Sequence, residues 1–185
     1  MKLAIIIGST RPGRLGPSVA AWFTSRAKEH AAFTVDLIDL ADINLPMFDE
    51  PIPPIMGRYT HTHTKEWAKR VGAADAFVVV TPEYNFSMPP ALVNAVDYLH
   101  KEWKYKPVAF VGYGGAGAAR AIEMEKQLFA ALHMVPLHDS VLFTGASAPA
   151  AIQPTEQHEQ KAAAMLDELH KWAEALQSLR APAAT

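Results

Sequence analysis

Short apolar runs that alternate with helical patterns constrain the fold of this chain more than any other feature of its sequence. The first run, at residues 3–7, is continuous, rich in β-branched residues and ended by Gly8, which is typical of a strand buried on both faces. A helical pattern follows, and Pro17 suits its first turn. The same succession continues along the chain and predicts strands at residues 3–7, 33–40, 76–81, 107–113 and 135–143. The predicted helices cover residues 18–30, 62–74, 90–103, 120–133 and 155–179.

Strands that alternate with helices imply a parallel sheet, because the right-handed crossovers place helices on both of its faces. Five strands in 185 residues favour an α/β fold of the flavodoxin-like, doubly wound kind. We therefore predict a five-stranded parallel sheet of order 2-1-3-4-5. No internal repeat or interdomain linker is visible, so residues 1–185 are expected to form a single domain.

Two segments lie outside this alternation. Residues 41–61 contain four prolines and are expected to form a long loop, either a lid or a partner contact. The C-terminal helix carries an apolar stripe that is expected to pack on the sheet, and the last five residues, APAAT, are expected to fray. The stripe consists of Met165, Leu169, Trp172, Leu176 and Leu179.

Composition excludes several classes of function. A net charge of −2 gives no general attraction to nucleic acid or to an anionic membrane, so any anion site must be local. The absence of cysteine excludes disulfides, a thiolate nucleophile, cysteine-ligated zinc and iron–sulfur clusters. The apolar N-terminal run is too short for a signal peptide, and no run approaches the length of a membrane span. A cytoplasmic protein is the expectation.

The loops that follow the first, third and fourth strands are the expected functional region. In an open α/β sheet, ligands bind beyond the carboxyl ends of the strands, near the switch in strand order. These loops cover residues 8–16, 81–89 and 112–118, and all are rich in glycine, proline, hydroxyl or amide groups. Their position in the sequence alone predicts that they converge.

The first loop has the properties of an anion site. Amides between Ser9 and Gly16 can point inward at the positive end of the following helix. The hydroxyls of Ser9, Thr10 and Ser18 add donors, and Arg11 and Arg14 add positive charge. Its glycines have the spacing of a P-loop, but the Lys-Ser/Thr pair that holds a triphosphate and Mg²⁺ is missing. A terminal phosphate monoester held without metal therefore fits best, and a solvated turn is the alternative.

The second and third loops suggest a flat ligand. Prolines stiffen the second loop, and its polar and aromatic groups would suit a heterocycle with donors and acceptors on its edge; a structural turn is the alternative. The third loop matches G-x-G-x-x-G but follows the fourth strand rather than the first. This match is a weak signal, and close backbone approach to a ligand explains it better. The residues of the second loop that would meet such a heterocycle are Pro82, Glu83, Tyr84, Asn85 and Phe86.

The histidines give no indication of a metal site or a catalytic triad. His61 and His63 lie near a helix start, and nothing nearby supplies a third ligand, so a surface location is expected. Asp97 and His100 lie on one predicted helix and could simply pair. No Ser-His-Asp arrangement can be assembled from the sequence. We predict no metal and no catalytic side chain.

Three segments together resemble the NADPH-dependent FMN reductase family, which has a flavodoxin-like fold and includes quinone, azo-dye and chromate reductases. They read GSTRPGRLGPSVAAWF, ADAFVVVTPEYNFSMPPALVNAVDYL and EWKYKPVAFVGYGGAGAARA. The resemblance extends from about Lys2 to Gly145. The most specific part is PEYN followed by a helix that reads L-x-N-A-x-D.

The resemblance implies roles for particular residues. The FMN phosphate would be bound by Ser9, Arg11 and Ser18, with Arg14 as a helper. The isoalloxazine would be lined by Pro82, Glu83, Tyr84 and Asn85, largely through backbone groups. Its other side would be closed by Tyr113, Gly114 and Gly115. The family commonly has glycine after PEYN, and Phe86 at that position here could restrict access of substrate to the flavin.

The resemblance also implies a reaction and an assembly. Hydride would pass from NADPH or NADH through FMN to a quinone-like or other small acceptor. Such proteins are usually homodimers or homotetramers, and the 90–100 helix and the 41–61 loop are the expected contact surfaces. A flavodoxin-like electron carrier and a flavin-binding sensor are the alternatives. Near-neutral charge argues against a carrier, because carriers tend to be strongly acidic.

Overall fold

The structure, a computed structural model, describes residues 1–147 and 152–180. Its sheet contains five parallel strands in the order β2-β1-β3-β4-β5, which confirms the predicted topology. The strands are β1 Lys2–Ile7, β2 Thr34–Asp39, β3 Ala76–Pro82, β4 Pro107–Gly114 and β5 Val135–Thr144. The predicted tail at residues 181–185 lies outside the described residues.

Helices cover both faces of this sheet. Alternate residues of the central strands are buried against α1 and α6 on one face, and against α3, α4 and α5 on the other. The helices are α1 Gly16–Glu29, α2 Leu40–Ile43, α3 Thr62–Gly72, α4 Pro90–Asp97, α5 Ala119–Ala131, α6 Glu156–Ala175 and α7 Gln177–Arg180. In the described part of the chain, no helix is both long and apolar enough to cross a membrane.

Helix α4 is shorter than the predicted helix at residues 90–103. It ends at Asp97, and turns follow it. Trp103 explains this early end: its indole is fully buried against Phe77 and Phe129, and its Nε1–H donates to the carbonyl of Val96 over 3.2 Å. A continued helix would use that carbonyl for its own ladder. The hydrogen bond from the buried indole to Val96 therefore takes the place of a helical hydrogen bond, and α4 ends before Trp103.

The predicted apolar stripe of the C-terminal helix is only partly buried. Met165, Leu169 and Leu176 belong to the core, but Trp172 and Leu179 are exposed. Helix α6 ends at Ala175, and the short α7 that follows it breaks the helical register. The indole N–H of Trp172 donates instead to Glu168 on the same helix.

The long segment at residues 41–61 contains the end of α2 and a 3₁₀ turn at Pro54–Met56, neither of which was predicted. It is fastened to α4. The Asn94 side chain donates to the carbonyl of Pro46 over 2.7 Å and accepts from the amide of Phe48 over 2.8 Å. The hydroxyl of Tyr98 donates to Asp49 over 2.9 Å. The segment thus forms an ordered surface beside the carboxyl edge of the sheet.

Candidate functional site

The three loops predicted to converge lie at the carboxyl edge of β1, β3 and β4, where short contacts join them. The amide of Gly8 donates to the carbonyl of Val80 over 2.9 Å, which ties the first loop to β3. The hydroxyl of Tyr113 at the end of β4 donates to Oγ of Ser9 over 2.9 Å. We number these loops by the strands that they follow: loop 1 is residues 8–16, loop 3 is residues 82–89 and loop 4 is residues 114–118.

Close packing at the start of α1 requires glycine. A Cβ atom added to Gly16 would lie 2.7 Å from Oγ of Ser9 and 2.9 Å from the hydroxyl of Tyr113. Such distances are shorter than van der Waals contact, so any larger residue would push these two side chains apart. Gly16 therefore lets the first turn of α1 approach the end of β4.

The N-terminus of α1 is open to an anion. The residue before the helix, Leu15, offers no side-chain cap, and the first turn has no acidic residue. Within the described ranges, the amides of Arg11, Gly13 and Gly16 donate no hydrogen bond. Unpaired amides at the positive end of a helix dipole form a ready anion site.

The two arginines of loop 1 differ in their surroundings. Arg11 is exposed and makes no ion pair with any residue that the structure describes. Arg14 is half-buried and pairs with the carboxylate of Asp39, which also accepts the amide of Ala41 at the start of α2. Arg14 therefore binds the end of β2, whereas the guanidinium of Arg11 is not engaged by any described residue.

The hydroxyls of loop 1 are also unequal. Ser9 has no exposed surface and its Oγ is engaged by Tyr113. Ser18 is exposed on the first turn of α1. The structure therefore places Ser18 with Arg11 and the free amides on the outside of the loop. Ser9 lies behind them and supports the loop from inside.

Loop 3 is built on a tight turn. Tyr84 and Ser87 exchange backbone hydrogen bonds of 3.0 and 2.9 Å. The two residues between them, Asn85 and Phe86, have φ values of 50° and 65°. Asparagine tolerates left-handed backbone better than most residues, whereas phenylalanine is strained in it. Phe86 projects outward, with 65% of its surface exposed, and the guanidinium of Arg120 lies 3.9 Å from its ring centre.

The carboxylate of Glu83 is directed to α5 rather than outward. It accepts the backbone amide of Arg120 over 3.1 Å and the Nε–H of the same residue over 2.7 Å. The Arg120 hydrogen bond lowers the pKa of Glu83. The side chain of Glu83 thus fastens loop 3 to the start of α5 and is not available to a ligand.

Loop 4 turns through glycines. Gly114 and Gly117 have φ values of 124° and 62°, and a Cβ on Gly112 would lie 2.0 Å from the carbonyl oxygen of Gly117. The G-x-G-x-x-G match is therefore explained by backbone folding. The ring of Tyr113 belongs to the core, and burial raises its pKa to about 12. The side chain of Tyr113 is thus not free to cover a ligand. Gly114 and Gly115 have no side chain, so only their backbone could approach one.

A cavity of about 250 Å³ adjoins loop 1 and reaches between α2 and α4. Its lining residues are Thr10, Leu40, Ala41, Asn44, Leu45, Ala91, Asn94 and Ala95. A larger cavity, of about 630 Å³, lies between β5 and α6 and includes no residue of the three loops. The smaller cavity therefore extends the candidate site, and the larger one does not.

The predicted surface location of His61 and His63 agrees with the structure. Their rings stack with centres 5.1 Å apart, and His63 pairs with Asp49 over 3.0 Å. Among the described residues, no group of three or more His, Cys, Asp or Glu side chains is arranged to hold a metal ion. The site is therefore built from amides, hydroxyls and arginine.

Sequence reasoning missed Arg120 and Asp39. Asp39 is the last residue of β2 and Arg120 lies in the first turn of α5, and each binds a residue that was expected to face the ligand. An acid at the end of β2 and an arginine at the start of α5 were visible signals. Their pairing partners were not, because ordinary surface charges have the same appearance in a sequence.

Comparison with known proteins identifies the family of the chain. The family model for NADPH-dependent FMN reductase matches residues 1–148. An NAD(P)H-dependent FMN reductase of Schizosaccharomyces pombe is 42% identical over 135 residues, which cover 72% of this chain and 68% of that protein. The NAD(P)H-dependent FMN reductase LOT6 of Saccharomyces cerevisiae is 36% identical over 146 residues, covering 72% of this chain and 76% of LOT6. The structure of FerB, a flavoenzyme NAD(P)H:(acceptor) oxidoreductase from Paracoccus denitrificans, is similar in fold. Its TM-score is 0.75 at 24% identity, over 94% of this chain and 97% of FerB.

The fold and the loops therefore define a flavodoxin-like α/β protein with a candidate anion site at the start of α1. The chain belongs to the NADPH-dependent FMN reductase family. Membership of this family makes the protein an oxidoreductase with FMN and NAD(P)H as its cofactors.

Proposed function

We propose that this protein transfers hydride from NAD(P)H to a quinone-like small molecule, with FMN bound across the three loops. The open N-terminus of α1 carries this proposal, because its free amides and Arg11 suit one phosphate group and its sequence lacks the groups that hold a triphosphate and Mg²⁺. Relatives named quinone reductase include one from Pseudomonas putida that is 31% identical over 130 residues.

The residues of loop 1 fit the phosphate end of FMN. Arg11 and Ser18 would donate from side chains, and the amides of Gly13 and Gly16 from the backbone. Ser9 would support them from behind through its contact with Tyr113. Because Arg14 is engaged by Asp39, its part is to hold the loop rather than to bind the phosphate directly.

Loops 3 and 4 fit the ring system. The amides of Asn85 and Gly115 have no acceptor among the described residues and would be available to the polar edge of a heterocycle. The amide of Glu83 faces the carbonyl of Tyr113 in the register of β3 and β4. When bound, FMN supplies the chemistry by taking up and releasing the hydride. The chain's own residues bind and orient it, and no side chain has to act as acid, base or nucleophile.

Phe86 is the residue that we propose to control access to the ring. It stands on a strained turn at the outer surface of loop 3, and Arg120 holds its ring from one side. A phenyl ring in this place would exclude bulky acceptors and leave room for flat ones.

Exposed apolar side chains beside the site support a homo-oligomer. Met47, Phe48, Ile55 and Met56 all lie in the segment that packs on α4, and all are exposed. Soluble proteins rarely expose several large apolar groups so close together unless a partner covers them. We propose that a second copy of the chain covers this surface, as a homodimer or within a homotetramer.

The deciding experiment is an absorbance spectrum of the purified protein, followed by anaerobic addition of NADPH and, separately, NADH. A bound flavin that bleaches promptly and is reoxidised by a quinone supports the reductase. A bound flavin that stays oxidised supports the carrier or the sensor instead. A protein that neither contains nor takes up FMN contradicts the assignment of loop 1.

A further inference from the structure

A carboxyl group is buried beneath loops 3 and 4, apart from the residues considered so far. Glu125 of α5 has no exposed surface, and its Oε1 lies 2.5 Å from Oγ1 of Thr81, near the end of β3. Its Oε2 is also buried and has no hydrogen-bond partner among the described residues. A buried carboxylate ordinarily has an ion pair or several donors, but here only a neutral hydroxyl meets it.

The elements packed against Glu125 supply no charge to compensate a carboxylate. Helix α5 packs on β3, β4 and β5. β3 has no ionisable side chain, and the one on β4, Tyr113, is bound to Ser9. The other ionisable residues of α5 and β5 are also unable to compensate it. Lys126 is half-buried and pairs with Glu123. The remaining ones are exposed: Arg120, Glu123, His138 and Asp139. Burial raises the pKa of Glu125 to about 8.

The count of hydrogens around Thr81 also favours a protonated Glu125. Oγ1 of Thr81 lies within hydrogen-bond distance of two oxygens, Oε1 of Glu125 and, over 3.1 Å, the carbonyl of Pro82. A hydroxyl has one hydrogen and a carbonyl can only accept. If Glu125 were ionised, one of the two oxygens would have no donor. If Glu125 is protonated, it donates to Thr81, Thr81 donates to Pro82, and both contacts are satisfied.

We propose that protonated Glu125 is a positioning residue for loop 3, which it orients by donating to Thr81 and, through Thr81, by fixing the carbonyl of Pro82. A peptide group is planar and its carbonyl and N–H point in opposite directions. When the carbonyl of Pro82 is held toward Thr81, the amide of Glu83 is held away from it. That amide faces the carbonyl of Tyr113 in the register of β3 and β4, so the orientation of this peptide group sets how loop 3 leaves the sheet. Loop 3 is one of the loops proposed above to meet the flavin, so this last step rests on the proposed function.

The test uses the full-length protein and four variants. Glu125→Gln keeps the shape and can donate an N–H at every pH, whereas Glu125→Leu and Thr81→Val remove a link in the chain of hydrogen bonds. Glu123→Gln is the matched control, because Glu123 is an exposed glutamate on the same helix. If Glu125→Leu does not fold, Glu125→Gln and Thr81→Val carry the test.

Thermal unfolding of the flavin-free protein between pH 5 and 9 tests the proton. A glutamate whose pKa is raised on folding contributes its full stability below its unfolded pKa, and that contribution is lost as the pH rises toward the folded value of about 8. The melting temperature of the wild type should therefore fall relative to Glu125→Gln between about pH 5 and 8, and Glu123→Gln should follow the wild type. Equal pH dependence in wild type and Glu125→Gln would overturn the proposal.

Amide hydrogen exchange in the flavin-free protein tests the positioning. The amides of residues 83–87 should exchange about three- to tenfold faster in Glu125→Leu and Thr81→Val, as expected for the loss of one hydrogen bond, and at the wild-type rate in Glu125→Gln at pH 6. Unchanged exchange in both Glu125→Leu and Thr81→Val would overturn the proposal. FMN titration separates this result from the proposed function: if no protein, wild type included, binds FMN, the proposed function fails and the two flavin-free measurements still decide the role of Glu125.

Discussion

Arg11 and Arg14 belong to the same loop, yet the structure gives them different tasks. Arg11 is exposed and unpaired among the described residues, and Arg14 is held by Asp39. A charged hydrogen bond to phosphate is available only to a guanidinium that is not already engaged. Residues of one type in one motif thus cannot be treated as equivalent, and their neighbours decide which of them meets the ligand.

Substitution of the two arginines should separate binding from stability. Arg11→Ala should weaken FMN binding about 10- to 100-fold, because a charge-assisted hydrogen bond contributes about 1.5–3 kcal/mol. It should leave the unfolding free energy nearly unchanged. Arg14→Ala leaves a half-buried Asp39 without its partner and should lower the unfolding free energy by about 1 kcal/mol or more. Fluorescence titration with FMN and urea unfolding measure both. A larger loss of FMN affinity in Arg14→Ala would reverse the two assignments.

Gly16 offers a second test at the level of one residue. Gly16→Ala inserts a methyl group against Ser9 and Tyr113 and should lower the unfolding free energy by about 1–3 kcal/mol, as overpacking does. Gly115→Ala is the control, because nothing lies within 4 Å of a Cβ at that position. Its unfolding free energy should change by less than about 0.5 kcal/mol. Equal stability of the two variants in urea would show that the contact of α1 with β4 is not close.

At the scale of elements, the sequence predicted all five strands and their order, since a buried parallel strand leaves a continuous apolar run. It did not predict where α4 ends. The helical pattern continues past Asp97, and only the burial of Trp103 between residues distant in the chain shows why the helix stops. Tertiary contacts of this kind leave no local signal in a sequence.

The candidate site was predicted in the same uneven way. The sequence indicated which loops converge, because the carboxyl ends of parallel strands share one edge. It did not indicate which way a side chain turns within a loop. Glu83 and Tyr113 were expected to line the ring, but Glu83 turns to Arg120 and Tyr113 turns to Ser9. The roles proposed for their backbone groups stay predictions.

The turn in loop 3 leads to a prediction about access. Phe86→Gly removes the ring and relieves a positive φ, which costs a larger residue about 1–2 kcal/mol. It also removes the contact with Arg120, which contributes about 0.5–1 kcal/mol, so stability should change little. We expect kcat/KM to rise for bulky quinones and to stay constant for small ones, with FMN affinity unchanged. Phe86→Leu, which keeps a large side chain, should behave like the wild type. Equal kcat/KM of wild type and Phe86→Gly for a bulky quinone would exclude Phe86 from control of access.

At the scale of the whole molecule, the net charge and the exposed apolar surface both favour self-association. A net charge of −2 on a chain of 20.2 kDa provides little repulsion between copies. The exposed apolar groups lie in the segment fastened to α4 by Asn94 and Tyr98, and that segment also borders the cavity next to loop 1. Self-association through this surface would therefore place a second copy beside the proposed flavin site.

This assembly is testable with charge placed on the apolar surface. Met47 and Met56 are 79% and 56% exposed, so Met47→Glu combined with Met56→Glu should not disturb folding of the protomer. At an interface, the same two carboxylates would be buried without partners, at a cost that only dissociation avoids. Sedimentation velocity at micromolar concentration should show an oligomer for the wild type and a 20.2 kDa monomer for the double variant. Met124→Glu, an exposed methionine on α5, should leave the oligomer intact. A wild type that sediments as a monomer would mean that this surface awaits a different partner, and a double variant that stays oligomeric would place the interface elsewhere on the molecule.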